Sequence, residues 1–418
     1  MSSPVLVRPR TRPIEAVVRP PGSKSFTNRA LVTAALARGV SRLAGPLDAD
    51  DTEAMRVGLA TLGVRIDDND DPWLVVGTRG RLGAGQIDAR QSGTTARFLA
   101  ALGALVNGRV EITGQGRLPA RPFAELATAL AMVGIDARAN NGGLPFVVEG
   151  RGGFPSGRVL VDPSRSSQFV SALLLVAPMA DGPVEIVLTE PPASASYLDS
   201  TIAVMAAFGA EVEVGDRAFQ VAPTGYSAAS YEIEADASAA AYPLVAAAIT
   251  GGVVGIEGIP AGSTQPDLEL LTVLAAMGCE VRRLPHRLDL LGPPQLNAVS
   301  VDMERAPDAV LALAVACLFA DGTSRLRRVG NLRLKESDRL AALVSEIGRI
   351  GAKAWVEGDD LLIEGGSPLQ PAVIDTHGDH RMAMSMALVG LRQPGIAIDH
   401  PEVVDKTWPR YFSVLDQL

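Results

Sequence analysis

Apolar positions along the chain recur in two registers. In the stretches MRVGLATLG (55–63), ELATALAMVG (125–134), IAVMAAFG (202–209), LLTVLAAMG (270–278) and LVSEIGRIG (343–351) they return at spacings of three and four, the period of a helix with one buried face. Each stretch ends on glycine, the residue that most readily closes a helix in the left-handed conformation. A second kind of stretch, such as SSQFVSALLLVAPMA or PDAVLALAVACLFA, is apolar on nearly every side, so as a helix it needs burial all round. Between the two kinds lie a turn glycine (Gly39, Gly108, Gly182, Gly251, Gly322, Gly395) and a short alternating strand, for example Val110–Thr113, Val184–Leu188 and Val253–Ile256. The unit of buried helix, glycine turn, strand, loop and amphipathic helix returns roughly every 70 residues, six times in all. Helices buried all round and flanked by strands predict an inside-out α/β fold, with helices within and sheets outside. Six such units can stack as one solenoid or divide into two domains of three, and the pattern leaves both open.

Length and composition narrow the picture. A chain of 418 residues is long for one hydrophobic core, which favours two domains. Hydrophobic residues make up 47% and aromatics only 4%, so the cores are expected to consist of Ala, Val, Leu and Ile. The net charge of -9 disfavours nucleic acid or an anionic membrane as partner, but leaves room for an anionic small molecule wherever positive charge is gathered locally. Only four of the 38 basic residues are lysines, and Lys24, Lys335 and Lys406 stand in the densest polar motifs, whereas Lys353 reads as ordinary surface. Cys279 and Cys317 lie in apolar stretches and read as reduced core thiols. With neither an export leader nor a membrane-length apolar run, a cytoplasmic location is expected.

The candidate chemistry sits at helix starts. Pro21–Arg29 (PGSKSFTNR) opens an Ala-rich helix, where hydroxyls and amides suit an anion and where Ser25 and Arg29, four apart, share a face. It is not a P-loop, because Ser23 stands where glycine must precede the lysine. QSGTTAR (91–97) and SSQ (166–168) repeat the design, and Gly93 would allow close approach by a ligand. Each of the three could be no more than a capped helix start. Arg121 is held by the following proline. NLRLKESDR (331–339) opens a helix that would set Lys335 and Arg339 on one side with Glu336 about 100° away, although such runs are usually solvated salt-bridge faces. DTHGDHR (375–381) could suggest a metal site, but only four histidines exist and no second cluster supplies ligands, so Arg381 at a helix start fits an anion better.

Together PGSKSFTNRA, SGTTARF, ARPF, SRSSQF, ASASY, NLRLKESDRL, GDHRMAM and DKTWPRYF resemble, in order and spacing, the 5-enolpyruvylshikimate-3-phosphate (EPSP) synthase family across nearly the whole chain. The resemblance implies two domains, each of three βαβαββ units around internal helices. The first domain would be discontinuous (1–22 and 236–418), the second would span 23–235, and the active site would lie in the cleft between them. It implies a monomer that takes phosphoenolpyruvate and shikimate 3-phosphate, needs no cofactor or metal, and serves aromatic amino acid biosynthesis. Phosphoenolpyruvate contacts fall on Lys24, Gly93, Thr94, Arg121, Gln168, Arg339, Arg381 and Lys406. Shikimate 3-phosphate contacts fall on Lys24, Ser25, Arg29, Ser166, Ser167, Gln168, Ser194, Tyr197, Asp308, Asn331 and Lys335. The implied catalytic set is Lys24, Asp308, Lys335, Glu336 and His380: Asp308 and Lys335 serve the 5-hydroxyl, and Glu336 protonates the methylene carbon, which requires an elevated pKa. The resemblance also implies that glyphosate competes with phosphoenolpyruvate beside Gly93–Thr94. Gln91, Phe98 and Ser196 depart from residues common in the family without removing a charge. The related UDP-N-acetylglucosamine enolpyruvyl transferases carry a cysteine where this chain has Gly116. A metal-dependent phosphohydrolase or a non-catalytic anion scaffold would leave Lys335, Glu336 and Lys406 unexplained.

Overall fold

The computed structural model describes residues 3–192, 195–284 and 287–418. The chain gathers into two compact units, Met1–Pro21 with Glu234–Leu418, and Gly22–Ile233, each with its own apolar core. No helix among the described residues is long and apolar enough to cross a membrane.

The repeat seen in the sequence is a repeat of small sheets. Gly85–Asp88 runs parallel to Asn107–Thr113, which pairs antiparallel with Gly143–Arg151, which in turn pairs with Asp136–Asn140. The parallel pair requires a crossover, supplied by the helix Gly93–Leu102, while the last two strands form a hairpin. Four other sheets share this order. Two depart in how the first strand is supplied. Ser230–Glu232, at the end of the second unit, pairs back onto Val40–Ala44, and Glu15–Val18 pairs with Val253–Glu257 across the whole intervening excursion of the chain. The sixth repeat is abbreviated: Ala372–Ile374 and Ile396–Ile398 are parallel, and Val5–Leu6 closes their open side.

The helices apolar on all sides are buried on all sides. Phe26–Leu36 and Val310–Leu318 contain no exposed residue, and Ala237–Ile249 is likewise buried. Helices therefore fill the interior and sheets face outward, the inside-out α/β arrangement expected from the pattern. Truncating a fully buried leucine such as Leu31 or Leu99 is expected to cost about 2–5 kcal/mol. The amphipathic helices seat against this interior. A Cβ on Gly58 would lie 2.3 Å from Leu99, so glycine lets the outer helix approach the inner one. Their closing glycines, Gly63, Gly134, Gly209, Gly278 and Gly351, all have φ between 79° and 106°. Because each inner helix follows the carboxyl end of a strand, the motif-bearing helix starts sit at strand carboxyl ends, where open α/β sheets bind ligands.

Candidate functional site

In the unit Gly22–Ile233 three inner helices begin at Lys24, Gly93 and Gln168. Lys24 forms an ion pair with the nearly buried Asp51, Nζ to Oδ2 3.1 Å. One turn on, Arg29 is buried and donates to Thr201 Oγ1 (2.8 Å), Ser25 Oγ (2.5 Å), Ser171 Oγ (3.4 Å) and the Tyr197 carbonyl (3.3 Å). Its guanidinium lies over the Phe98 ring at 5.3 Å. Burial lowers its pKa to about 10, and these four hydrogen-bond partners are all neutral. A buried cation held by neutral dipoles is half of an anion site. The expected pairing of Ser25 with Arg29 on one helix face is present.

At the second helix start Ser92 accepts from the Thr95 amide, 3.3 Å, so it is a true cap. Ser167 precedes the third helix without capping it through its side chain, and Ser166 Oγ accepts from the Gln168 amide, 3.3 Å. Gln168 Nε2 donates to Thr94 Oγ1, 3.3 Å, which joins two of the three helix starts. Arg121 ends a short 3-10 turn in extended conformation, and its Nη1 lies 2.9 Å from where a Cβ on Gly93 would be. Gly93 is therefore small because guanidinium groups crowd it, in addition to any room it leaves for a ligand. Gly116 has φ +58°, a conformation that strains residues with a side chain, and a Cβ there would meet the Gln91 side chain at 2.9 Å.

In the other unit predicted residues meet in one network of charge, with Arg339, Asp379 and Arg381 buried and Asp308, Lys335 and Glu336 partly exposed. Arg339, 1% exposed, binds three carboxylates: Asp379 (Nε to Oδ2 2.8 Å), Glu336 (2.9 Å) and Asp308 (3.0 Å). Burial works against the guanidinium charge, yet Asp379, Glu336 and Asp308 together raise its pKa above the ordinary value. Asp308 also takes Arg381 Nη2 at 3.0 Å and has Lys335 Nζ at 3.8 Å. Asp379 caps the helix His380–Val389 by accepting the Arg381 amide (2.9 Å) and also takes the Ser337 hydroxyl (3.1 Å). His380, buried, has Nδ1 3.5 Å from Asp379. Lys406 ends a 3-10 turn, Pro401–Lys406, and is buried, while Asn331 lies in the turn Gly330–Leu334.

One local expectation fails. The helix does not include Lys335: the Asp338 carboxylate accepts the Ala341 amide (3.1 Å), so the helix starts at Arg339 and Lys335 reaches Asp308 from an extended segment. The cluster DTHGDHR also separates. His377 turns to the buried Glu346 (3.0 Å) while Asp379 is committed to Arg339, and among the described residues no three His, Cys, Asp or Glu side chains gather as metal ligands. Ser194 lies outside the described residues.

Several contributors carry little signal in the sequence. Asp51 and Asp379 hold cations that the motifs name, and acidic residues bounding helix starts are too common to single out. Asp267 is buried, accepts the Ser238 hydroxyl, and has its pKa pushed to about 6 by burial and by Asp308, against the lowering pull of Arg381. Arg97 sits inside a quoted motif and joins all three stretches around Gly93, Pro122 and Gln168. Its one sequence signal is an arginine inside an otherwise apolar inner helix.

Comparisons with known proteins agree over the full length. The family model described as EPSP synthase (3-phosphoshikimate 1-carboxyvinyltransferase) matches residues 9–415. A 3-phosphoshikimate 1-carboxyvinyltransferase of Pseudomonas syringae pv. syringae is 40% identical, covering 99% of this chain and 97% of its own. One from Rhizobium leguminosarum bv. trifolii is 41% identical, covering 98% and 96%. The solved EPSP synthase of Acinetobacter baumannii superposes with a TM-score of 0.83 at 25% identity, covering 100% of this chain and 98% of that one.

Proposed function

The chain belongs to the EPSP synthase (3-phosphoshikimate 1-carboxyvinyltransferase) family, and from that premise we propose that it transfers the enolpyruvyl group of phosphoenolpyruvate to the 5-hydroxyl of shikimate 3-phosphate, releasing phosphate through a tetrahedral intermediate. The observation that carries the reading is the partly buried network in which Arg339 and Arg381 share Asp308 beside Lys335 and Glu336. It offers cations for carboxylate and phosphate, a carboxylate to accept the hydroxyl proton, and a second carboxylate to deliver one to carbon. Asp308 takes the 5-hydroxyl proton as its oxygen attacks C2, with Lys335 beside it. Glu336 protonates the methylene carbon to give the methyl group, then recovers a proton from it as the C–O bond to phosphate breaks. His380, buried next to Asp379, completes the set able to hold a proton. In the ligand-free network three carboxylates face Arg339, so an incoming anion is best accommodated when one of them carries a proton, which suits Glu336 as the acid.

Lys24, Arg121, Gln168 and the Gly93–Thr94 amides complete the phosphoenolpyruvate contacts in this reading, and Ser25, Arg29, Ser166, Ser167 and Tyr197 those of shikimate 3-phosphate. Side chains supply the charge neutralisation, so phosphate release should need both substrates and persist in EDTA. Loss of turnover on chelation, or release from phosphoenolpyruvate alone, contradicts the proposal.

A further inference from the structure

Arg97 stands one turn into the Gly93–Leu102 helix and is 1% exposed. Its guanidinium reaches three separate chain segments. Nη1 donates to the Gly93 carbonyl (3.3 Å) and to Gln168 Oε1 (2.7 Å), and Nη2 donates to the Pro122 carbonyl (3.0 Å). The plane is steadied by Phe123 and Phe169, whose ring centres lie 4.7 and 5.3 Å from Cζ.

We propose that Arg97 is the positioning residue for the anion contacts of this unit: it sets the orientation of the Gln168 amide and the relative placement of Gly93 and Arg121. This rests on the family reaction proposed above. The argument for Gln168 is one of donors and acceptors. A side-chain amide has two faces of opposite character and can present either by a half-turn of its last bond. Arginine has donors only, so whichever amide atom faces Arg97 must be the oxygen. Nε2 then points the other way, where it donates to Thr94 and keeps a second hydrogen for an anionic ligand. With the amide reversed, its oxygen would meet the anion and repel it. The argument for Gly93 and Arg121 is steric. A Cβ on Gly93 would lie 2.7 Å from Arg97 Nη1 and 2.9 Å from Arg121 Nη1, so both guanidiniums occupy the space that a side chain at this position would fill. Tethering the Pro122 carbonyl fixes the residue next to Arg121. Lysine keeps the charge but has no planar fork to hold three acceptors.

The test compares Arg97→Lys and Arg97→Leu with the parent enzyme, following EPSP formation, thermal unfolding, and a cycle with Gln168→Ala. For Arg97→Lys the expected result is a KM for phosphoenolpyruvate raised tenfold or more, with a smaller loss in kcat and a melting temperature within a few degrees of the parent. Because Arg97 acts through Gln168, Arg97→Lys with Gln168→Ala should be little worse than the more damaging single change. An unchanged KM in Arg97→Lys, or fully additive losses, overturns the proposal. If Arg97→Leu does not fold, Arg97→Lys decides alone. A parent protein inactive on both substrates would instead overturn the family reaction, and the orientation of Gln168 would then be read from binding of phosphoenolpyruvate to parent and Arg97→Lys by calorimetry.

Discussion

Replacing Arg29 with methionine separates binding from folding. In the ligand-free protein Arg29 carries its charge in a buried site among neutral partners, and burial takes its pKa from 12.5 to about 10. That fall corresponds to a cost on the order of 3 kcal/mol for holding the charge. Methionine fills similar space without charge. It forfeits the contact with Phe98, worth about 1 kcal/mol. Of the hydroxyls left behind, Ser171 and Thr201 retain partners, since they pair at 2.9 Å and Thr201 donates to the Tyr197 carbonyl. The balance is a ligand-free protein as stable as the parent or more stable by about 1–2 kcal/mol. Shikimate 3-phosphate would then find no cation at this point, and losing a buried charge pair costs roughly 2–5 kcal/mol of binding. Differential scanning calorimetry with and without shikimate 3-phosphate reads both quantities in one experiment. The expected pattern is a ligand-free melting temperature that holds or rises and a ligand-induced rise that collapses. A variant that melts well below the parent yet keeps the full ligand shift would show that Arg29 is a structural cation, and the reasoning would fail.

Three further outcomes follow from the same network. Asp267 has its folded pKa raised to about 6, so the folded state holds more protons than the unfolded between pH 4 and 6, and this group's contribution to stability falls as pH rises through that window. Asp267→Asn should remove that fall and gain stability, on the order of 2–3 kcal/mol, at pH 7.5 but not at pH 4; equal effects at both pH values, in urea titrations, would contradict the raised pKa. Lys24→Met should lower kcat/KM by the equivalent of about 2–5 kcal/mol, whereas Lys353→Met, at a side chain 68% exposed, should be nearly neutral; similar kinetics would remove Lys24 from the site. Gly93→Ala should push Arg121 and Arg97 outward and raise both the KM for phosphoenolpyruvate and the glyphosate inhibition constant by about tenfold, equivalent to 1.4 kcal/mol, and unchanged constants would mean that the two guanidiniums yield without cost.

Legibility in the sequence divides along physical lines. Periodicity is local, so the repeats, the glycine caps and the helices buried on all sides can be recognised from the order of residues alone. Strand partners are not local. Nothing in Glu15–Val18 says that its neighbour is Val253–Glu257, and nothing in Ser230–Glu232 points back to Val40–Ala44. Helix starts are misleading where a 3-10 turn precedes the α-helix: the stretch from Asn331 turns only as far as Leu334, and the Asp338 carboxylate opens the α-helix afterwards, which leaves Lys335 outside it.

The candidate site shows the same division in its charges. Motifs name the cations, because arginines and lysines at glycine- and serine-rich helix starts are uncommon enough to notice. The carboxylates that hold them are harder to see, because an aspartate at a helix start is ordinary in sequence and becomes significant only when a buried guanidinium lies against it. Arg339 illustrates the consequence. Read from sequence, it is one more positive charge for an anionic substrate. In the structure it faces three carboxylates, and with Lys335 and Arg381 the group is close to neutral overall. A neutral buried network is far less costly to fold than a bare cluster of cations. Its attraction for anions then depends on which carboxylates yield or take up a proton, so the acid–base groups of the proposed reaction and the binding groups are the same residues. Substitutions at Asp308 or Glu336 should therefore change the KM for phosphoenolpyruvate as well as kcat, whereas a dedicated proton carrier outside the network would change kcat alone.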